Sequence, residues 1–173
     1  MIKRLTDNVW QITCEKFGSH VYLIKLKNKN ILIDTDAKEN EKQLINELKK
    51  LNTPPNKMDI VILTHNHPDH IENISLFTNA KIYGSKLDFL QKEIIPIDKL
   101  KIPEFKIIKT PGHSKGGICI LYKEILFSGD TIFHRGTIGR TDLPGSNETD
   151  MKKSLNKISK IKYKILAPGH GNK

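Results

Sequence analysis

A chain of 173 residues, 37% hydrophobic and 28% charged, suits one globular domain with a real core, and no apolar stretch is long enough to span a bilayer. The net charge of +10 rests on scattered lysines, while arginine, the preferred fork for phosphates and base edges, occurs only at positions 4, 135 and 140. A nucleic-acid partner is therefore not favoured. The basic N-terminus lacks the apolar segment of a signal peptide, so a cytoplasmic protein is the expectation.

Val9 to Thr13 and His20 to Lys27 read as strands, and the turn Asn28-Lys-Asn30 leads into a third, Ile31 to Ile33. Asp36 is placed to cap a helix from about Lys38 to Leu51, with Leu44, Ile45, Leu48 and Leu51 on one face; Pro54-Pro55 stops it. Asp59 to Leu63 is an almost unbroken apolar strand, the pattern of burial on both faces. A short helix is expected from about Asp69 to Phe77, a strand at Lys81 to Tyr83 and a helix at Lys86 to Lys92. Phe105 to Lys109 reads as a strand. Gly117 to Tyr122 and Ile125 to Phe127 read as a hairpin. Glu148 to Lys160 is an amphipathic helix with Met151, Leu155 and Ile158 inward, and Lys164 to Ala167 is a last strand. Strands and helices so mixed point to an α/β layered sandwich in one domain, residues 1–173. Cys14 and Cys119 have no zinc-knuckle spacing and read as small buried residues.

Four loops share one design. An apolar strand stops, Gly or Pro turns the chain, and a metal-ligand residue stands at the tip. The first loop is Thr64-His-Asn-His-Pro-Asp-His70, with His65, His67, Asp69 and His70. The others end in His113, Asp130 and His170. Asp69 alone would read as a helix cap, and a single Pro-Gly-His as any turn. The dense, ordered cluster with three further ligands at strand ends is different. Five histidines and two aspartates exceed one tetrahedral ion and suit two. A natural division gives His65, His67 and His113 to one ion and Asp69, His70 and His170 to the other, with Asp130 bridging. His134, four residues after Asp130, is a candidate for lining the site.

Thr64 to His70, Pro111-Gly-His113, Ser128-Gly-Asp-Thr131 and Pro168-Gly-His-Gly171 together resemble, in order, the signatures of the metallo-β-lactamase superfamily, over residues 9 to 171. The resemblance implies an αββα sandwich of two mixed sheets flanked by helices, with a dinuclear metal site at one edge of the sheets. It also implies the ligand division just given. Phe127 to Phe133 followed by Gly139-Arg-Thr-Asp142 is most similar to the glyoxalase II branch, whose members hydrolyse hydroxyacyl-glutathione thioesters. Departures are Ile71-Glu-Asn73 after His70, where the family has a small Gly-rich step, and a chain ending three residues after His170. The latter implies a short form without the C-terminal helical domain that helps glyoxalase II bind glutathione. Asp130 stands where B1-type β-lactamases carry a cysteine.

The expected function is thus a dinuclear metallo-hydrolase, a thioesterase acting on small thioesters or esters through a metal-bound hydroxide. Two divalent ions are implied, zinc first, with iron or manganese as alternatives. Asp130 and Asp69 are the expected catalytic carboxylates. Arg140 is expected either to anchor a substrate carboxylate or to pair with Asp142 and fix the 134–145 loop. Alternatives are a persulfide dioxygenase with one Fe(II) on His65, His113 and Asp130, and a promiscuous hydrolase acting on β-lactams, lactones or phosphodiesters.

Overall fold

The computed structural model describes residues 1–171; the last two residues of the expected 1–173 domain lie outside the described part. In chain order it contains β1 (Ile2–Thr6), β2 (Val9–Ile12), β3 (Val21–Leu26), β4 (Lys29–Ile33), α1 (Glu41–Lys50), β5 (Ile60–Ile62), α2 (Pro68–Ile71), β6 (Lys81–Gly84) and β7 (Ile95–Pro96). Then follow β8 (Phe105–Lys109), β9 (Ile118–Tyr122), β10 (Ile125–Gly129), α3 (Glu148–Ile158) and β11 (Ile165–Pro168).

Two mixed sheets result. One has the order β1-β2-β3-β4-β5-β6-β7, antiparallel as far as β4 and parallel beyond it. The other has the order β11-β10-β9-β8, with β10 and β11 parallel. Successive side chains of a strand point to opposite faces, and that alternation builds the layers. Tyr22, Ile24, Ile31, Ile33, Ile60 and Ile62 meet Ile118, Ile120, Tyr122 and Phe127 between the sheets. The intervening Leu23, Leu32 and Val61 face the other way and pack on Leu44 and Leu48 of α1. Cys119 and Leu126 likewise face Ile158 of α3. The architecture is the αββα sandwich. Leu44 and Leu48 are fully buried, which stabilises the α1 contact by roughly 2 kcal/mol per side chain. Both cysteines are buried and free, in different clusters.

Several expected elements differ. The helix expected at Lys86 to Lys92 is a turn, because Asp88 is used elsewhere: its carboxylate accepts from Ser114 Oγ (2.7 Å), Gly116 N (2.5 Å) and Asn66 N (3.3 Å). The helix expected from Asp69 to Phe77 stops after one turn at Ile71. There the Asn73 side chain, fully buried, donates to the carbonyls of Thr35, Asp36 and Ala37 at 2.9, 3.2 and 2.8 Å. Asp36 does not cap α1, which is preceded by a 3-10 turn and has no side-chain cap. It sits instead at φ 64 with Oδ1 accepting from Ala37 N. The edge strands β1 and β7 lack a clear apolar alternation and were not foreseen.

Strands β4, β5, β8, β10 and β11 all run toward the same edge of the sandwich. Their C-terminal ends carry Asp34, His65, His113, Asp130 and His170. The two sheets are tied there by Ile118 N to Thr64 O (3.0 Å), His20 N to Gly169 O (2.7 Å) and Tyr22 OH to Pro168 O (2.6 Å).

Candidate metal centre

Each ligand candidate is held by the loop that ends its strand. His65 stands three residues past the end of β5, and Pro68 starts α2 so that Asp69 and His70 project from one turn. His113 stands on the second loop, which follows β8, with Gly112 at φ 147 against Met151 of α3. Asp130 follows Gly129, whose φ is 47. His170 follows Gly169, whose N–H donates to Gly129 O at 2.8 Å.

The side chains form three overlapping clusters with ligand atoms within 4.8 Å of one another: His65, His67 and His113; His65, His70 and Asp130; Asp69, His70 and His170. His65 Nε2 lies 3.1 Å from His67 Nδ1. His170 Nε2 lies 3.1 Å from Asp69 Oδ2 and 3.4 Å from His70 Nε2. Asp130 reaches both groups, with Oδ2 3.4 Å from His113 Nε2 and 3.3 Å from His170 Nε2, and Oδ1 3.3 Å from His70 Nε2.

Four of the five imidazoles have their outer nitrogen committed. His70 Nδ1 meets Asp34 Oδ2 at 2.7 Å, His113 Nδ1 meets Arg140 O at 2.8 Å, and His170 Nδ1 meets Gly18 O at 3.1 Å. His65 Nδ1 meets Thr64 Oγ1 at 3.0 Å, and that hydroxyl donates to Asp34 Oδ2 at 2.8 Å. This network assigns the tautomers: each outer nitrogen carries the proton and each inner nitrogen turns a lone pair inward, the arrangement of metal-ligating histidines.

Two of the inward atoms lack protein partners. His113 Nε2 and Asp130 Oδ1 are buried without a hydrogen bond; His70 Nε2 approaches Asp130 Oδ1 but not in hydrogen-bond geometry. Buried polar atoms rarely go unpaired. Here five imidazoles and two carboxylates converge where a cation would satisfy them, so the residues fit divalent metal.

The electrostatics agree for His65, His67 and Asp130. Burial pushes the pKa of His65 well below the ordinary imidazole value and lowers that of His67, which favours the neutral, ligating form. Burial opposes charge on Asp130 too, but His70 and His170 beside it outweigh burial and hold its carboxyl well below the usual range. His70 is pushed up despite burial by Asp34 and Asp130, and His170 is pushed up to about 9 by Asp130 and Asp69, so these two rings hold a second proton that a metal ion would displace. The carboxylates at this edge are therefore ionised, as metal ligands must be.

The family model described as the metallo-beta-lactamase superfamily matches residues 15–87 and 91–170. The chain belongs to the metallo-β-lactamase superfamily. Among members of this superfamily, it is 38% identical over 144 residues to a probable metallo-hydrolase of Methanocaldococcus jannaschii, covering 81% of this chain and 70% of that one. It is 35% identical over 161 residues to hydroxyacylglutathione hydrolase 1 of Vibrio vulnificus, covering 87% of this chain and 61% of that enzyme. Among solved structures, TTHA1623 in a di-iron-bound form superposes with a TM-score of 0.78 at 22% identity, covering 94% of this chain and 92% of that one. ETHE1 from Myxococcus xanthus superposes at 0.77 with 24% identity, covering all of this chain and 76% of that one. These superpositions place the chain in the metallo-β-lactamase fold, and its family makes it a metallo-hydrolase.

Of the two residues expected on the substrate side, His134 is exposed and lies beside Gly171, next to His170. The Arg140 guanidinium grips Asp142 through two 2.9 Å hydrogen bonds at the surface, while its backbone carbonyl receives His113. It thus touches the site through its main chain. Sequence reasoning missed Asp34, Thr64 and Asp88. Asp34 carried a usable signal, since it ends an apolar strand as Asp130 does. Thr64 and Asp88 carried none, because they act through hydrogen bonds made by distant segments.

Gly169 tests how tightly the centre is packed. A Cβ there would stand 2.1 Å from Asp130 Oδ1 and 2.7 Å from His70 Cε1. Gly169→Ala should therefore displace the Asp130 carboxylate and cost about tenfold or more in metal affinity. Metal titration followed by calorimetry reads this out; wild-type affinity in the variant would mean that the carboxylate has room to move.

Proposed function

We propose that the chain is a dinuclear metallo-hydrolase of glyoxalase II type, cleaving small hydroxyacyl thioesters. His65, His67 and His113 would hold one ion, and Asp69, His70 and His170 the other, with Asp130 shared. The observation that carries this reading is Asp130: one buried carboxylate within 3.4 Å of imidazoles from both groups. Zinc suits the imidazole-rich set, and iron or manganese suits the carboxylates. Bound there, divalent cations lower the pKa of water to about 7 and polarise a carbonyl oxygen.

The chain's own residues supply the rest. Asp34, Gly18 O and Arg140 O hold the imidazole rings in one orientation, so the ligand geometry is set before substrate arrives. Asp69, partly exposed, would orient the attacking water and accept its proton. His134 beside His170 lies on the approach to the site and would contact substrate there. No serine or cysteine nucleophile is required, and both cysteines are buried. A small-molecule substrate follows from the hydrolase family.

The 35% identity to a hydroxyacylglutathione hydrolase supports the thioester class. A single-iron dioxygenase would leave His67, Asp69, His70 and His170 without a shared purpose, so the complete set favours hydrolysis. The deciding experiment is S-lactoylglutathione hydrolysis by protein loaded with zinc or manganese, with metal content measured alongside. Turnover with about two ions per chain is expected, lost on chelation and in His65→Ala. One iron per chain with oxygen uptake on a glutathione persulfide, and no thioester turnover, would overturn the reading.

A further inference from the structure

A recess of about 270 Å3 opens beside His170, lined among others by Cys14, Phe17, Ser19, Asp36 and Asn40. It is formed by the loop between β2 and β3, held down on the start of α1. Asn40 fastens that loop: its Oδ1 accepts from Lys16 N (3.3 Å), and its Nδ2 donates to Phe17 O (3.2 Å) and Asp36 Oδ1 (3.0 Å). The metal edge forms one wall, because His170 donates to Gly18 O and Phe17 stacks on the His170 ring with centroids 5.8 Å apart.

The recess has an unusual floor. Asp36 is fully buried and has a hydrogen bond from Ala37 N to Oδ1, but its Oδ2 has no partner. Ser19 Oγ, in the same lining, is also buried and unpartnered. The Cys14 thiol lies next to the carboxylate and is at most a weak donor to it. No lysine, arginine or histidine stands within ion-pair distance of Asp36 among the described residues, although His70 favours its charge from farther off. Lys16, at the rim, is drawn 3.9 Å from Glu39 at the surface. His20 bonds Thr13 Oγ1 at 3.0 Å, and burial pushes it down to about 4, so it is neutral. Burial pushes the Asp36 carboxyl up, opposed by its hydrogen bonds and by His70; a buried carboxylate oxygen left without a partner is costly, and chains keep such groups where a ligand completes them. Phe17, 80% exposed at the rim, adds an aromatic face of the kind that attracts cations.

We propose that this recess is a cation subsite, which draws the ammonium end of the substrate toward Asp36 while the acyl group lies at the metal edge. The inference rests on the hydrolase reading and names the substrate class it favours: thioesters or esters carrying an ammonium group. Attraction acts through the low-dielectric floor of the recess, so charge, rather than direct contact, sets the preference.

The test compares acetylthiocholine with its neutral isostere, S-(3,3-dimethylbutyl) thioacetate, on the metal-loaded protein. Wild type should prefer the cation by about tenfold in kcat/KM, the scale of one weakly screened charge pair. Asp36→Asn should bring the ratio close to one. Asn keeps an acceptor for Ala37 and Asn40 and tolerates the positive φ of 64. General damage to the enzyme lowers both rates and leaves the ratio intact. A ratio near one in wild type, or one that survives Asp36→Asn, overturns the proposal. Binding of choline against 3,3-dimethylbutan-1-ol, measured by calorimetry, gives the same ratio without turnover. Absence of thioester turnover with an Asp36-dependent preference for choline would sink the thioesterase reading and keep the subsite; absence of that preference would sink the subsite.

Discussion

Asp130→Ala is expected to lower thioester kcat/KM by on the order of 10^3-fold or more and to cut the metal content below two ions per chain. Asp130 meets His70, His113 and His170 at 3.3–3.4 Å, so on the proposed reading its removal would withdraw an anionic ligand from both groups at once. Metal ions contribute several kcal/mol of transition-state stabilisation, and each 1.36 kcal/mol is a factor of ten in rate; losing about 4 kcal/mol gives the stated drop. The global fold should survive, because the core between the sheets lies away from this edge. Circular dichroism, metal analysis and steady-state kinetics on the same preparation check all three. Two bound ions and activity within tenfold of wild type would show that Asp130 is not shared.

The second large effect is expected at Asp34, which contacts no inward-facing ligand atom. Its carboxylate accepts from Thr64 N (2.8 Å), Thr64 Oγ1 (2.8 Å) and His70 Nδ1 (2.7 Å), and it is buried. Asp34→Ala leaves these donors without an acceptor, at a cost on the order of 3–5 kcal/mol in stability. It also frees the rings of His65 and His70, which should weaken metal binding by roughly 10–100-fold. Asp34→Asn should lose less stability, because Asn suits the φ of 59 at this position and still offers one acceptor. It should still lose metal affinity, because the amide nitrogen that replaces one oxygen cannot accept, so either Thr64 N or the Thr64 Oγ1–His70 Nδ1 pair loses its acceptor. Denaturant unfolding with and without metal separates the two effects. A metal-free Asp34→Ala chain as stable as wild type would refute the structural half of the prediction.

Much of the site was legible because its residues act at strand ends. Thr64 to His70 packs four candidates into one loop, and His113, Asp130 and His170 each follow an apolar run closed by Gly or Pro. The structure gathers all seven at one edge. Less legible were residues whose role lies in reach. Asp88 reads as part of a helix until Ser114 and Gly116, distant in sequence, are brought against it. Asn73 reads as a helix residue until the loop after β4 arrives to take its three hydrogen bonds. Asp36 reads as a cap for the same reason: local pattern favours a helix start, and a tertiary contact with Asn40 and the β2–β3 loop overrides it.

The sequence alone determined the layered α/β architecture and which loops carry the candidate ligands, because period-two burial and turn residues are local properties of a chain. Only the tertiary structure decided which imidazole nitrogen faces inward, that Arg140 offers its backbone rather than its guanidinium, and that Asp36 lies unpaired beneath a recess next to His170. Those features depend on hydrogen bonds and burial between segments far apart in sequence, and such contacts exist only once the two sheets have closed on each other.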